Sequence, residues 1–179
     1  MEDAILRAAW EELVTVGYAN LTMEGVAARA GTSKTVIYRR WRNRAELVIA
    51  AMRLHAPMLS GDVPDTGSVR GDVLALLRRV GQRLAELGPE TIFGLLSELV
   101  QDADLSSYVQ AQQTGLDAMM TILKRGAERG EVRLDKVTPR IASLPVDLLR
   151  HELFVTRAPV PETVLTEIVD DIFLPLIRT

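Results

Sequence analysis

Residues Leu21 to Leu47 read LTMEGVAARAGTSKTVIYRRWRNRAEL, and this stretch decides the fold. On both sides of Ala30-Gly31 the apolar residues fall three and four apart, the period of two short helices, and Gly31 stands where the chain must turn between them. Thr22 precedes the first apolar run and is placed to cap it, its hydroxyl accepting an orphan backbone N–H. Thr32 or Ser33 is placed to cap the second helix, which is expected to end near Trp41, and Asn43 to cap a further one running from Arg44 to about His55. Ala27 and Ala28 are small where two helices must cross closely, while Val26, Val36 and Ile37 supply apolar contacts that fix the crossing angle. Helix, glycine turn and helix at this spacing make a helix-turn-helix.

The charge of the same stretch is concentrated. Arg29, Lys34, Arg39, Arg40, Arg42 and Arg44 lie between Arg29 and Arg44 with no acid among them, although the whole chain is formally −3. Residues 1–55 carry 8 Lys/Arg against 6 Asp/Glu, or +2, and residues 56–179 carry 13 against 18, or −5. A basic head thus precedes an acidic body. A run of charge is usually only a solvated helix face; here it coincides with a turn, caps and a hydroxyl-bearing helix start, and the joint pattern fits a surface for double-stranded DNA. Lys34 and Thr35 occupy the first turn of the second helix, from which side chains reach base edges in the major groove. Tyr38, Arg39 and Arg40 lie further along, suited to phosphates, and Thr22 and Arg44 sit at helix N-termini where the sugar-phosphate backbone can be pinned.

The rest of the 179 residues is read as helical throughout, giving an all-α chain of about nine helices. The first runs from about Glu2 to Val16. The Pro-, Gly-, Asp- and Ser-rich segment Pro57 to Ser68 is the boundary between a helix-turn-helix domain at 1–55 and a larger helical domain at 56–179. In that second part, helices are expected at Val69–Leu87, Thr91–Val100, Leu105–Arg129, Thr138 to about Thr156, and from Pro161 onward; Pro145 lies inside the fourth of these. A core of real size is available at 47% hydrophobic residues, and with no cysteine neither a disulfide scaffold nor a thiolate zinc site is possible. The N-terminal residues lack the layout of a signal peptide and no apolar run approaches a membrane span, so a cytoplasmic location with no membrane partner is expected.

In Thr22, Val26-Ala27, Ala30-Gly31, Ser33, Tyr38, Trp41, Arg44 and Leu47, the segment from about Ile5 to Ala51 resembles the TetR family of transcriptional regulators. The resemblance places Thr22, Tyr38 and Arg44 at phosphate-contact positions and Ser33, Lys34 and Thr35 near bases. Three positions depart from the family pattern: Trp41 stands where Phe is commoner, Arg44 replaces the usual Lys, and Thr32 replaces a common Val. The chain starts directly at its first helix, so no basic arm toward the minor groove is expected. The resemblance implies a homodimer on a pseudo-palindromic operator, most often a repressor released by a small molecule bound in the C-terminal domain. Its last two helices would form the dimer face, through Leu149, Leu153, Val164, Leu165, Ile168, Val169, Ile172 and Phe173; the same stripe also suits intramolecular core, and the two roles are compatible. By position among the middle helices, Met52, Met58, Phe93, Leu96, Tyr108, Met119, Met120 and Phe154 are candidates to line the effector pocket, each being equally a candidate for plain packing.

Catalytic and metal chemistry find no support. His151-Glu152 begins like a zinc-protease helix, but Val155 stands where a second histidine is needed, and there is no phosphate-binding glycine loop, nucleophile elbow or dinucleotide turn. No enzyme activity, cofactor or metal is expected. The rival to a ligand-responsive DNA-binding regulator is a non-catalytic helical small-molecule carrier or interaction protein whose basic head meets an acidic partner.

Overall fold

The structure, a computed structural model, describes residues 1–55, 62–101 and 106–178, with side chains apart from those of 99–101, 106–112 and 114. Among the described residues every regular element is helical. The main helices are α1 (Glu2–Val16), α2 (Met23–Arg29), α3 (Lys34–Tyr38), α4 (Arg44–His55), α5 (Val69–Leu87), α6 (Pro89–Gln101), α7 (Ser106–Glu128), α8 (Pro139–Thr156), α9 (Glu162–Glu167) and α10 (Leu174–Ile177). Single 3-10 turns lie at Tyr18–Asn20 and Leu134–Lys136, and a π-helical stretch, Ile168–Phe173, joins α9 to α10.

The helix starts follow the local chemistry of the sequence. Thr22 Oγ1 accepts from the Gly25 N–H at 3.0 Å, Ser68 Oγ from Gly71 at 3.1 Å, and Thr138 Oγ1 from Ile141 at 3.2 Å. Asn43 Oδ1 accepts from the Glu46 N–H at 2.8 Å while the Glu46 carboxylate reaches back to the Arg42 N–H at 2.8 Å, so two orphan donors at the start of α4 are satisfied together. Helix α3 is shorter than its sequence pattern: it ends at Tyr38, and the chain continues as turns to Trp41, whose N–H bonds the Ile37 carbonyl at 3.0 Å.

The chain packs as two compact units. The first comprises Met1–Met58 and Glu90–Ser107, the second Leu59–Pro89 and Tyr108–Thr179. Helix α6, apart from Pro89, is therefore a partner of the basic head. In the first unit Ile5 and Ala9 of α1, Val26 of α2, Ile37 of α3, and Leu47 and Val48 of α4 are fully buried, each large side chain contributing about 1.5–3 kcal/mol. The second unit buries Val73, Leu76 and Leu77 of α5, Met119, Ile122 and Leu123 of α7, Leu149 of α8, and Phe173.

Asp72 is fully buried on α5 and holds the end of the preceding loop. Its Oδ1 accepts from the Thr66 N–H at 2.5 Å and the Thr66 hydroxyl at 2.8 Å, and its Oδ2 meets Arg129 Nη2 at 3.3 Å. Arg129 in turn bonds Glu131 at 2.6 Å, and Glu131 accepts the Val69 N–H at 2.9 Å. Two bidentate or near-bidentate pairs tie α5 to the end of the chain: Arg70 to Asp170 at 2.7 and 2.8 Å, and Arg78 to Glu162.

Candidate nucleic-acid interface

The turn between α2 and α3 is built by backbone hydrogen bonds that only a left-handed residue permits. Gly31 has φ +63°, the Thr32 N–H reaches back to the Ala27 carbonyl at 3.0 Å, and the Gly31 N–H reaches Ala28 at 3.2 Å. These are the two closing bonds of a Schellman turn, and they release the chain at a steep angle. Ile37 and Val26, both with no exposed surface, clamp α3 to the head by its inner side. What remains outward is Ser33, Lys34, Thr35, Tyr38, Arg39 and Arg40, all exposed, with Tyr38 at 48%. Lys34 and Tyr38, like Thr35 and Arg39, are four apart and lie above one another on this face. Thr22 is exposed at the start of α2, so seven of the eight residues expected at DNA are at the surface of one unit.

Several of these cations already have anionic partners. Lys34 pairs with Glu24 of α2, Arg40 with Glu2 of α1, and Arg29 with Glu12 at 2.8 Å. The Lys34 hydrogen bond holds the Glu24 carboxyl below the usual carboxylate range. The window from Arg29 to Arg44 is free of acid in sequence but not in space, because the carboxylates come from helices outside it; sequence reasoning had no signal for this beyond the acids of α1 and α2 themselves.

Arg44 is the exception among the eight. Its side chain is 34% exposed and turned inward. Nε donates to Glu98 Oε2 of α6 at 2.7 Å, Nη1 donates to the carbonyls of Tyr18 and Leu21 at 3.3 and 3.2 Å, and the guanidinium lies 4.7 Å from the centre of the Tyr18 ring. The Tyr18 hydroxyl donates to the same Glu98 oxygen at 2.8 Å. Burial first, and the Glu98 bond second, push the Tyr18 phenol above its ordinary range, so it remains a donor. Neither Tyr18 nor Glu98 stands out in the sequence.

The residues expected to line a pocket are divided between the units. Met52, Phe93 and Leu96 belong to the first, each partly exposed, and Met119, Met120 and Phe154 to the second, where Met119 is core. Met58 lies outside the described residues and Tyr108 outside the described side chains. Of the residues expected at a dimer face, Leu149, Leu153, Leu165, Ile168, Val169 and Phe173 are buried in the second unit itself. Val164 is partly exposed and Ile172 is 41% exposed, while Leu176, one turn beyond, is 42% exposed. His55 stacks on Trp10 with ring centres 6.3 Å apart, and His151 is exposed. Among the described residues no three metal-ligating side chains converge, and no helix is long and apolar enough to cross a membrane.

Comparison with known proteins gives this geometry its context. Residues 5–51 match the bacterial regulatory proteins of the tetR family, and residues 63–172 match the tetracyclin repressor-like C-terminal domain. The DNA-binding transcriptional repressor TetR of Mycobacteroides abscessus is 33% identical over 177 residues, covering 98% of this chain and 93% of that one. An HTH-type transcriptional regulator of Mycobacterium tuberculosis strain H37Rv is 32% identical over 181 residues, covering 97% and 86%. Among solved structures, the TetR family transcription regulator SCO0332 superposes with a TM-score of 0.76 at 29% identity over 94% of each chain. SmeT, the repressor of the Stenotrophomonas maltophilia multidrug efflux pump SmeDEF, shares the fold with a TM-score of 0.59 at 21% identity, over 100% of this chain and 91% of that one. With both of its parts matched and a helix-turn-helix presenting a basic outer face, the chain belongs to the TetR family of DNA-binding transcriptional regulators.

Proposed function

We propose that the protein is a cytoplasmic homodimeric repressor that binds a pseudo-palindromic operator and leaves it when a small molecule binds. The single observation that carries the DNA-contact reading is the outward face of α3, where Lys34, Thr35, Tyr38, Arg39 and Arg40 are exposed while Ile37 anchors the helix from behind. Ser33, Lys34 and Thr35 are assigned to base edges; Thr22, Tyr38, Arg39 and Arg40 are assigned to phosphates. Arg44 is assigned to the backbone as well, but only once it is released from its inward pairing with Glu98. Residues 1–55 would act as the DNA-binding head and 56–179 would carry dimerisation and effector binding. The repressor sign is supported by the relative from Mycobacteroides abscessus, a DNA-binding transcriptional repressor.

The proposed switch is a change in spacing. Two recognition helices in a dimer meet successive major grooves when they lie about 34 Å apart. An effector that binds the wrongly spaced state better shifts the population toward it, and it acts only through that difference in affinity. The test is a gel shift on duplex DNA from upstream of the protein's own gene, repeated over a range of salt. Binding should weaken with salt, and Lys34→Ala and Arg40→Ala should each weaken it on the order of tenfold. Unaltered operator binding in both variants would remove α3 from the interface; no DNA binding at all would favour the carrier or interaction-protein reading.

A further inference from the structure

Arg44 opens α4 immediately beyond the exposed face of α3, yet its Nε is taken up by Glu98 and its Nη1 by two backbone carbonyls. Glu98 comes from α6, 54 residues further along the chain, and binds Arg44 at 2.7 Å and the Tyr18 hydroxyl at 2.8 Å with the same oxygen. One turn before Glu98 on α6 is Gly94, where an added Cβ would collide with the Tyr18 ring. Glycine at this position therefore lets α6 seat directly on the ring that also underlies the Arg44 cation. The pair is not sealed: the side chains of Arg44 and Glu98 keep 34% and 23% of their surface exposed.

A carboxylate and a phosphodiester are alternative anions for one guanidinium, since both accept the same planar fork of N–H donors. We propose that Glu98 is a positioning residue for DNA binding that competes with a backbone phosphate for Arg44. While α6 is seated on Tyr18, Arg44 is withheld; when the Glu98 charge is lost or α6 lifts away, Arg44 adds one phosphate contact. Whatever fixes α6 more firmly against Tyr18 thus weakens the grip on DNA by that contact, without touching the recognition helix. This inference rests on the DNA-binding reading above.

Salt dependence separates competition from a merely structural effect, because the slope of log K against log salt counts phosphates at about 0.9 per contact on duplex DNA. Fluorescence anisotropy on the duplex from upstream of the protein's own gene would be recorded at several salt concentrations for the wild type, Glu98→Gln, Glu98→Ala, and Glu98→Gln combined with Arg44→Met. Circular dichroism melts of each variant serve as folding controls, and the alanine variant stands in should the glutamine variant misfold. The expected result is a slope steeper by about 0.9 in either single variant and a return to the wild-type slope in the double variant. A folded single variant with the wild-type slope, or a gain that persists without Arg44, overturns the proposal. A wild-type protein with no salt-dependent DNA binding instead overturns the DNA-binding reading beneath it.

Discussion

In the proposed complex Lys34 would reach a base edge from the first turn of α3 only by leaving Glu24, and that exchange would tune discrimination as much as affinity. The Glu24 carboxylate sits beside the recognition helix and repels any phosphate that approaches without offering Lys34 a better partner. Glu24→Gln should therefore raise affinity for unrelated duplex DNA more than for the operator, by a factor on the order of two to five, measured as the ratio of dissociation constants in one buffer. Equal shifts on both DNAs would mean that Glu24 acts only through overall charge. Because Lys34 holds the Glu24 carboxyl below its usual range, the pair is fully present above about pH 4.3 and is lost only as pH falls through the lowered value, so physiological pH leaves it intact. At this scale the sequence shows which side chains line α3, since Ile37 and its neighbours obey a local period. It does not show which acids answer them. Glu2 meets Arg40 across 38 positions of chain, and Glu98 meets Arg44 across 54, and such pairings are set by tertiary packing that no local pattern encodes.

Several helix starts were legible, because a cap bonds only three positions on: Thr22, Asn43 and Thr138 do so as expected, and Ser68 does so at the start of α5. Ser33, expected as a cap of α3, makes no such side-chain bond, and α3 ends at Tyr38 rather than near Trp41. The loop leading into α5 was not legible in the same way, since its support comes from Asp72 and from Arg129 and Glu131 at the far end of α7. Asp72→Ala would remove the acceptor shared by the Thr66 N–H and hydroxyl, a loss of about 1–2 kcal/mol that should appear as a lower urea midpoint with an unchanged slope. An unchanged midpoint would show that water replaces the carboxylate there without penalty. Acid should act on the same region: the Arg129 hydrogen bond holds the Glu131 carboxyl low, so its stabilising contribution is complete above about pH 4.3 and disappears as pH drops through the depressed value.

For the whole molecule, the second unit must supply the proposed self-association, and most of the apolar stripe expected to do so is already committed inward. Of that stripe Val164 is partly exposed and Ile172 exposed, and Leu176 lies exposed four residues beyond Ile172, while Phe173 and Ile177, also four apart, are fully buried. Replacing both Ile172 and Leu176 by Asp should raise the dimer dissociation constant on the order of a hundredfold, read by sedimentation velocity at micromolar protein, with the helical signal retained. A wild type that sediments as a monomer would remove the dimer, and a double variant that stays dimeric would move the interface elsewhere. Fold class was readable at this scale from the helical period alone. The packing of α6 in the first unit was not, because its apolar residues suit either partner equally.

Through the π-helical stretch Ile168–Phe173 the end of the chain departs from a single helical wheel. A π turn takes one residue more than an α turn, and one residue is worth about 100° of rotation. Everything from Leu174 onward is therefore dialled round relative to Glu162–Glu167, as if the last turn had been cut off and rejoined in another phase. For this chain and its relatives, a gained or lost residue within 168–173 would hardly alter the reach of the helix; it would change which side chains the final turn offers to the outside. Alignments that close such a gap for neatness would pair letters that point in different directions.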